Sequence, residues 1–130
     1  MHRWSLGIPT GISPTDLLVH VQAKTLAEIQ DLMKQDYLDE EKLVRIVSFS
    51  RTDLHRALAG QALAQLKEVK PQSLEQAVRY APEAAATEAW NRLISFADDP
   101  CVTACIRRLA AHCQSYPFCA LAKAELKKRE

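Results

Sequence analysis

The residue types best able to carry chemistry are concentrated near the carboxyl end of the chain. All four cysteines lie between Cys101 and Cys119, and His112 falls among them. At about 100° per residue, a helix here places Cys101, Cys105 and His112 on one stripe, apart from the apolar face. Thiols at positions i and i+4 with a nearby histidine could bind zinc or another soft metal. The candidate metal ligands are Cys101, Cys105, His112 and Cys119.

Two other interpretations of these cysteines stay open. A cation such as Arg108 could lower the pKa of a neighbouring thiol, which would indicate a thiol redox protein. The paired short spacings of zinc ribbons are missing, and Cys113 shares the apolar face, so ordinary burial explains the cysteines without any chemistry. A disulfide between Cys101 and Cys105 would fit badly into a regular helix. We therefore expect no cofactor, with zinc or another soft metal as the alternative.

Other catalytic patterns are missing from the sequence. There is no glycine-rich phosphate loop, nucleophile elbow or paired-carboxylate signature, and three glycines leave little material for one. We expect no enzymatic activity. The net charge is +1, but residues 101–130 carry six basic and two acidic side chains. Weak nucleic-acid binding by this basic end is a further alternative, although no aromatic residues interleave with the charges, so we do not expect a nucleic-acid partner.

Helix start signals recur along the whole chain and divide it into short segments. Caps, or prolines suited to a first helical position, precede runs with apolar residues at helical spacing. They predict an all-α protein of about seven short helices and no strand. The predicted starts lie at Ser13-Pro14, Thr25, Asp39, Ser50, Ser73, Pro82, Asp99-Pro100 and Tyr116-Pro117.

A faint internal repeat suggests how these helices are organised. Residues 41–49 (EKLVRIVSF) share Glu, Arg, Ser and Phe with residues 88–96 (EAWNRLISF), at a shift of 47. Such repetition is typical of stacked helices that bury a shared core. We interpret residues 1–130 as a single domain. In it, 25–70 and 73–119 form duplicated three-helix units, 1–12 an extended arm and 117–130 a terminal helix.

The run from Glu83 to His112 resembles HEAT and armadillo repeat proteins. It reads as a helix, then Asp98-Asp99-Pro100, then a second helix with Val102, Ile106 and Leu109 on its apolar face. The resemblance covers residues 25–126, with Thr103 where the family commonly has an arginine. It implies a compact right-handed array or bundle of helices whose surface binds other proteins.

The amino-terminal arm is the remaining notable segment. Gly7, Pro9 and Gly11 disfavour helix, while Trp4, Leu6 and Ile8 alternate as if one side were covered. We expect the arm to pack on its own domain or to insert into a second subunit, which would give a homodimer.

Together these features predict a protein-protein interaction or regulatory module with an unidentified protein partner. No apolar run is long enough to cross a bilayer and no signal-peptide pattern is present, so we expect a soluble cytoplasmic protein with no membrane partner. The candidate partner-binding residues are Trp4, Leu6, Arg108, Lys127, Lys128 and Arg129.

Overall fold

The computed structural model describes residues 11–97, 99–112 and 118–129, and in these ranges all regular structure is helical. The predicted all-α class is confirmed, with eight helices in place of about seven. Trp4, Leu6 and the rest of residues 1–10 lie outside the described ranges, as does Cys113. The helices are α1 (Pro14–His20), α2 (Leu26–Lys34), α3 (Glu40–Phe49), α4 (Asp53–Gln65), α5 (Pro71–Tyr80), α6 (Glu83–Ile94), α7 (Pro100–Ala111) and α8 (Phe118–Arg129).

Local capping explains where several helices begin. Four predicted caps accept a backbone hydrogen bond from the first turn, at Ser13, Thr25, Asp39 and Asp99. The cap predicted at Ser50 is wrong by two residues, because the Thr52 side chain fills that role.

Helix α5 also begins earlier than predicted. It starts at Pro71, and its N-cap residue Lys70 makes no side-chain cap. The Glu40 carboxylate of α3 accepts instead from the Lys70 backbone N–H at 3.0 Å and from the Ser73 hydroxyl at 2.6 Å. A side chain thirty residues away thus caps this helix, which no local pattern predicts.

The helices pack as two rows joined by hairpins. One row runs α1, α3, α5, α7 and the other runs α2, α4, α6, each helix contacting the next in its row. Helices α3 with α4, α5 with α6 and α7 with α8 also pack as neighbours across short connections. Between the rows lies a continuous apolar core, whose largest fully buried side chains include Leu18, Ile29, Leu43, Leu63, Leu74, Leu93 and Ile106.

The shift of 47 residues pairs helices from different rows. It aligns α3 with α6, and Arg45 with Arg92. Arg45 pairs with Glu41 on its own helix, whereas Arg92 donates to the Ala64 carbonyl at 2.8 Å at the end of α4. The packing relates neighbouring two-helix hairpins and not two three-helix units. The duplication into 25–70 and 73–119 therefore stays a prediction.

Two further features hold the rows together. Gly60 in α4 lies so close to α5 and α6 that an added Cβ would be 3.0 Å from the Ala81 Cβ and 3.3 Å from the Ala85 Cβ. Near the carboxyl end of the chain, Arg129 of α8 donates to the carbonyls of Ile94 and Phe96 at 3.2 and 3.3 Å. These carbonyls lie at the end of α6, where an orphan acceptor needs a donor. Among the described residues, no helix has the length and apolar character to cross a membrane.

Candidate functional site

The four candidate metal ligands are spread over different environments. Cys101 is exposed in the first turn of α7, and Cys105 is buried one turn later. His112 is exposed at the end of α7, and the Cys119 thiol donates to the Ala110 carbonyl at 3.2 Å. Across the described ranges, no three His, Cys, Asp or Glu side chains are placed to share a metal ion. The structure does not bring the predicted ligand set together.

A buried carboxylate lies beside Cys105 instead. The side chain of Glu75 on α5 is 3% exposed and faces α7. The Arg108 guanidinium donates to it through Nε, at 3.1 Å from Oε1 and 3.0 Å from Oε2, and through Nη2, at 2.7 Å from Oε1. Arg79 on α5 pairs with Oε2 at 3.1 Å. Two cations therefore compensate one buried anion, as a buried charge requires.

This cluster makes Cys105 a poor nucleophile. Burial and the hydrogen bond and negative charge of Glu75 raise the pKa of the Cys105 thiol to about 12, and the opposing effect of Arg108 is smaller. The Arg108 Nη2 lies 3.4 Å from the sulfur, but its charge is committed to Glu75, which in turn raises the Arg108 pKa. The thiolate is the reactive form of cysteine, so a raised pKa suppresses nucleophilic and redox chemistry. At Cys105 the geometry thus runs against the redox interpretation.

The predicted partner-binding residues differ in how available they are. Lys127 and Lys128 are exposed on α8, whereas the side chain of Arg129 is only 8% exposed and pairs with Glu125 at 3.0 Å. Arg108 is half-exposed but is held by Glu75. Arg129 and Arg108 each hold a carboxylate of their own chain, whereas Lys127 and Lys128 are simply exposed.

An open groove lies at the amino-terminal end of the two rows. It has a volume of about 470 Å³ and runs between α1 and the turn from α3 to α4; we call it the α1/α3 groove. Its lining residues are Thr15, Asp16, Val19, Phe49, Ser50, Arg51 and Thr52.

Large apolar side chains are exposed at this groove. Phe49 is 75% exposed and Val19 is 58% exposed, and both line it. Leu54, which follows the lining residue Thr52 by two positions, is 47% exposed. Single exposed apolar residues are ordinary on protein surfaces, but a cluster beside a concavity is typical of a binding site.

Hydrogen bonds fix the wall of the groove. The Thr52 hydroxyl lies 2.7 Å from Nδ1 of the buried His55, whose Nε2 lies 2.9 Å from the Ala23 carbonyl. Because the carbonyl can only accept, Nε2 carries a proton, and in the neutral imidazole Nδ1 accepts from the Thr52 hydroxyl. The start of α4 is thereby tied to the connection after α1, so the groove is a preformed feature.

In α3, helical spacing allows either Phe49 or Ser50 to follow Leu43, Ile46 and Val47 on the apolar stripe, and the structure buries Ser50. The buried positions are Leu43, Ile46, Val47 and then Ser50, which continues the i, i+3, i+4, i+7 series. At 100° per residue, Phe49 falls more than 90° from the centre of that stripe. Glu75 was not among the predicted site residues, although Arg79 follows it by four positions, a spacing typical of an ion pair on a helix.

A second hollow, of about 300 Å³, is less suited to a ligand. It is lined by Glu40, Glu41, Val44, Lys70 and Ser73. The Glu40 carboxylate already caps α5, and no large exposed apolar residue lies in this hollow. The α1/α3 groove is the stronger candidate.

No protein-family model, curated protein or solved structure matches the chain. The groove and the Glu75 cluster are therefore interpreted from their own geometry and chemistry.

Proposed function

We propose that this chain is a non-catalytic protein-protein interaction module that binds an apolar segment of a partner protein in the α1/α3 groove. The observation that carries the proposal is the exposure of Phe49 and Val19 on the two sides of a preformed concavity. Aromatic side chains at the centre of an interface dominate binding energies, and Phe49 supplies such an anchor.

The arrangement of the helices supports this role. Three consecutive hairpins stack side by side, and three is about the number a helical-repeat protein needs for a stable shared core. We therefore interpret the array as HEAT-like or armadillo-like, as the stretch around Asp99-Pro100 suggested. Proteins of this architecture offer long, rigid surfaces, and the proposed role is binding or regulation within the cytoplasm.

The chemistry of the groove indicates which segment would fit. Its lining contains one acid, Asp16, and one base, Arg51, so the formal charges cancel. The hydroxyl groups of Thr15, Ser50 and Thr52 already have hydrogen-bond partners within the chain. An uncharged segment with two or three large apolar residues matches this lining better than an acidic or basic one.

Substitutions in the groove, which should abolish partner binding, test the proposal. Tagged wild-type chain and its Phe49→Ser, Val19→Ser and Leu121→Ser variants would be used to isolate bound proteins from the cells that naturally make this protein. Leu121 is the matched control, because it is 44% exposed on α8, at the other end of the array. We expect at least one protein that is lost from both groove variants and retained by Leu121→Ser. Equal binding by all four chains would contradict the proposal.

A further inference from the structure

Residues 1–10 of this same chain have the composition that the α1/α3 groove favours. The stretch 4–10 (WSLGIPT) carries no charged residue, and its apolar residues Trp4, Leu6 and Ile8 alternate. In extended backbone, alternate side chains point to one side, so all three can face a single surface. We propose that residues 1–10 occupy the α1/α3 groove of their own chain and cover Phe49 and Val19.

The chain enters the described structure beside the groove. Ile12 packs against the core, and Ser13 caps α1, whose Thr15 and Asp16 line one end of the groove. Gly11 has a φ of +82°, in the left-handed region that glycine adopts at little cost, and an added Cβ there would meet nothing within 4 Å. The glycine is thus needed for the direction of the backbone at this position and not for close packing.

The length of the segment is sufficient. From Thr15 to Val19 the groove follows α1 over about 6 Å, at about 1.5 Å per residue. Residues 4–10 span about 23 Å when extended, at about 3.3 Å per residue. Even after a turn at Gly11, a segment of this length exceeds the α1 side of the groove.

Attachment favours the same chain over a second copy. A segment joined by a few residues experiences an effective concentration of about a millimolar or more, far above an ordinary protein concentration. Docking within one chain therefore predominates at micromolar concentrations. One consequence rests on the proposed function. If a partner segment binds in this groove, residues 1–10 act as an intramolecular competitor that the partner must displace.

Quenching of Trp4 fluorescence by acrylamide tests the docking alone. Trp90 is 4% exposed and lies against Phe118, with 6.5 Å between ring centroids, so it gives a shielded background. The difference between the wild-type chain and Trp4→Phe isolates Trp4. We expect its quenching constant to be at least about threefold below that of a free tryptophan derivative, and to rise about twofold or more in Phe49→Ser, as the ring loses its apolar contact. Val19→Ser repeats the test, and Leu121→Ser should change nothing.

Two results would overturn the inference. One is a wild-type Trp4 that acrylamide quenches as fully as the free derivative. The other is shielding that appears only as the protein is concentrated from about 1 to about 100 µM, which would place the segment in a second copy. Partner binding is read separately in the capture experiment. Shielded Trp4 without a partner would therefore contradict only the proposed function, and accessible Trp4 with a groove-dependent partner would contradict only this inference.

Discussion

The Arg108 guanidinium on α7 donates hydrogen bonds to both carboxylate oxygens of Glu75 on α5. The two residues are 33 positions apart in the sequence, and α7 follows α5 in the same row of helices. The carboxylate is almost completely buried, whereas the guanidinium is half-exposed. This pair ties two stacked helices together through charged side chains. The Glu75 carboxylate also raises the pKa of the neighbouring Cys105 thiol.

Removing the charge of Glu75 should destabilise the protein. Glu75→Gln leaves Arg79 and Arg108 facing each other without an anion, and breaking a buried pair costs about 3 to 5 kcal/mol. Because Arg108 can turn toward solvent, we expect a loss of about 2 to 3 kcal/mol in the free energy of unfolding, measured with urea. Glu41→Gln, which removes an exposed pair with Arg45, should cost less than about 0.5 kcal/mol. Equal effects of the two substitutions would show that the Glu75 pair is not a stabilising link.

The cysteines should differ strongly in reactivity. With a pKa of about 12, Cys105 is about 10⁻⁴ thiolate at pH 8, against about a tenth for a thiol with the ordinary pKa of 9.0. In a Cys113→Ser background, we expect a thiol-specific disulfide reagent to modify Cys101 first and Cys105 at least about 10³-fold more slowly. Cys101→Ser should remove the fast phase. A fast Cys105 would restore the redox interpretation.

The stability of the protein should fall at alkaline pH because of Cys105. The folded state holds the Cys105 proton up to a pKa of about 12, whereas the unfolded chain releases it near the ordinary value of 9.0. Between these values the folded state binds more protons, so the free energy of unfolding decreases as pH rises. The slope approaches about −1.4 kcal/mol per pH unit.

The measurement is the difference in slope between wild type and Cys105→Ala, from urea unfolding at several pH values above 8. The variant is less stable at every pH because it leaves a cavity, but it should lack this part of the slope. Parallel curves for the two proteins would contradict the raised pKa.

Gly60 should resist replacement even by alanine. Alanine in a helix interior is favoured over glycine by about 1 kcal/mol. At Gly60, however, the new methyl would press on the Cβ atoms of Ala81 and Ala85, which cannot rotate away, so α4 and α6 must move apart. Overpacking of this kind costs about 1 to 3 kcal/mol, and we expect Gly60→Ala to lower the free energy of unfolding by about 1 kcal/mol. Adding Ala81→Gly should recover part of that loss; a stabilised Gly60→Ala would disprove the close approach.

The features that sequence predicted correctly are local ones. The caps at Ser13, Thr25, Asp39 and Asp99 depend on atoms within three residues, so residue type and spacing were sufficient. The all-α class follows from the same signals. Helix periodicity also placed Val102, Ile106 and Leu109 on the apolar face of α7, and all three are buried.

The candidate site depended on partners far away in sequence. Glu75 is buried with Arg108 of α7 as its partner, and the largely buried Arg129 side chain donates to a carbonyl at the end of α6. These partners lie 33 to 35 residues apart, beyond any helical periodicity. Which cysteine faces Glu75 is likewise decided by the stacking of α5 on α7, and the sequence does not specify that stacking.

The most direct test of the account places a photo-crosslinking amino acid at position 49 of the full-length chain, with the same residue at position 121 as the control. Both positions are exposed and apolar, and they lie at opposite ends of the array. After irradiation in the cells that naturally make the protein, we predict a discrete crosslinked partner from position 49 and none from position 121. Because residues 1–10 compete for the groove, the double variant Trp4→Ser, Leu6→Ser should increase the yield. Identical products from both positions, or none from position 49, would contradict the claim that the α1/α3 groove is the binding surface.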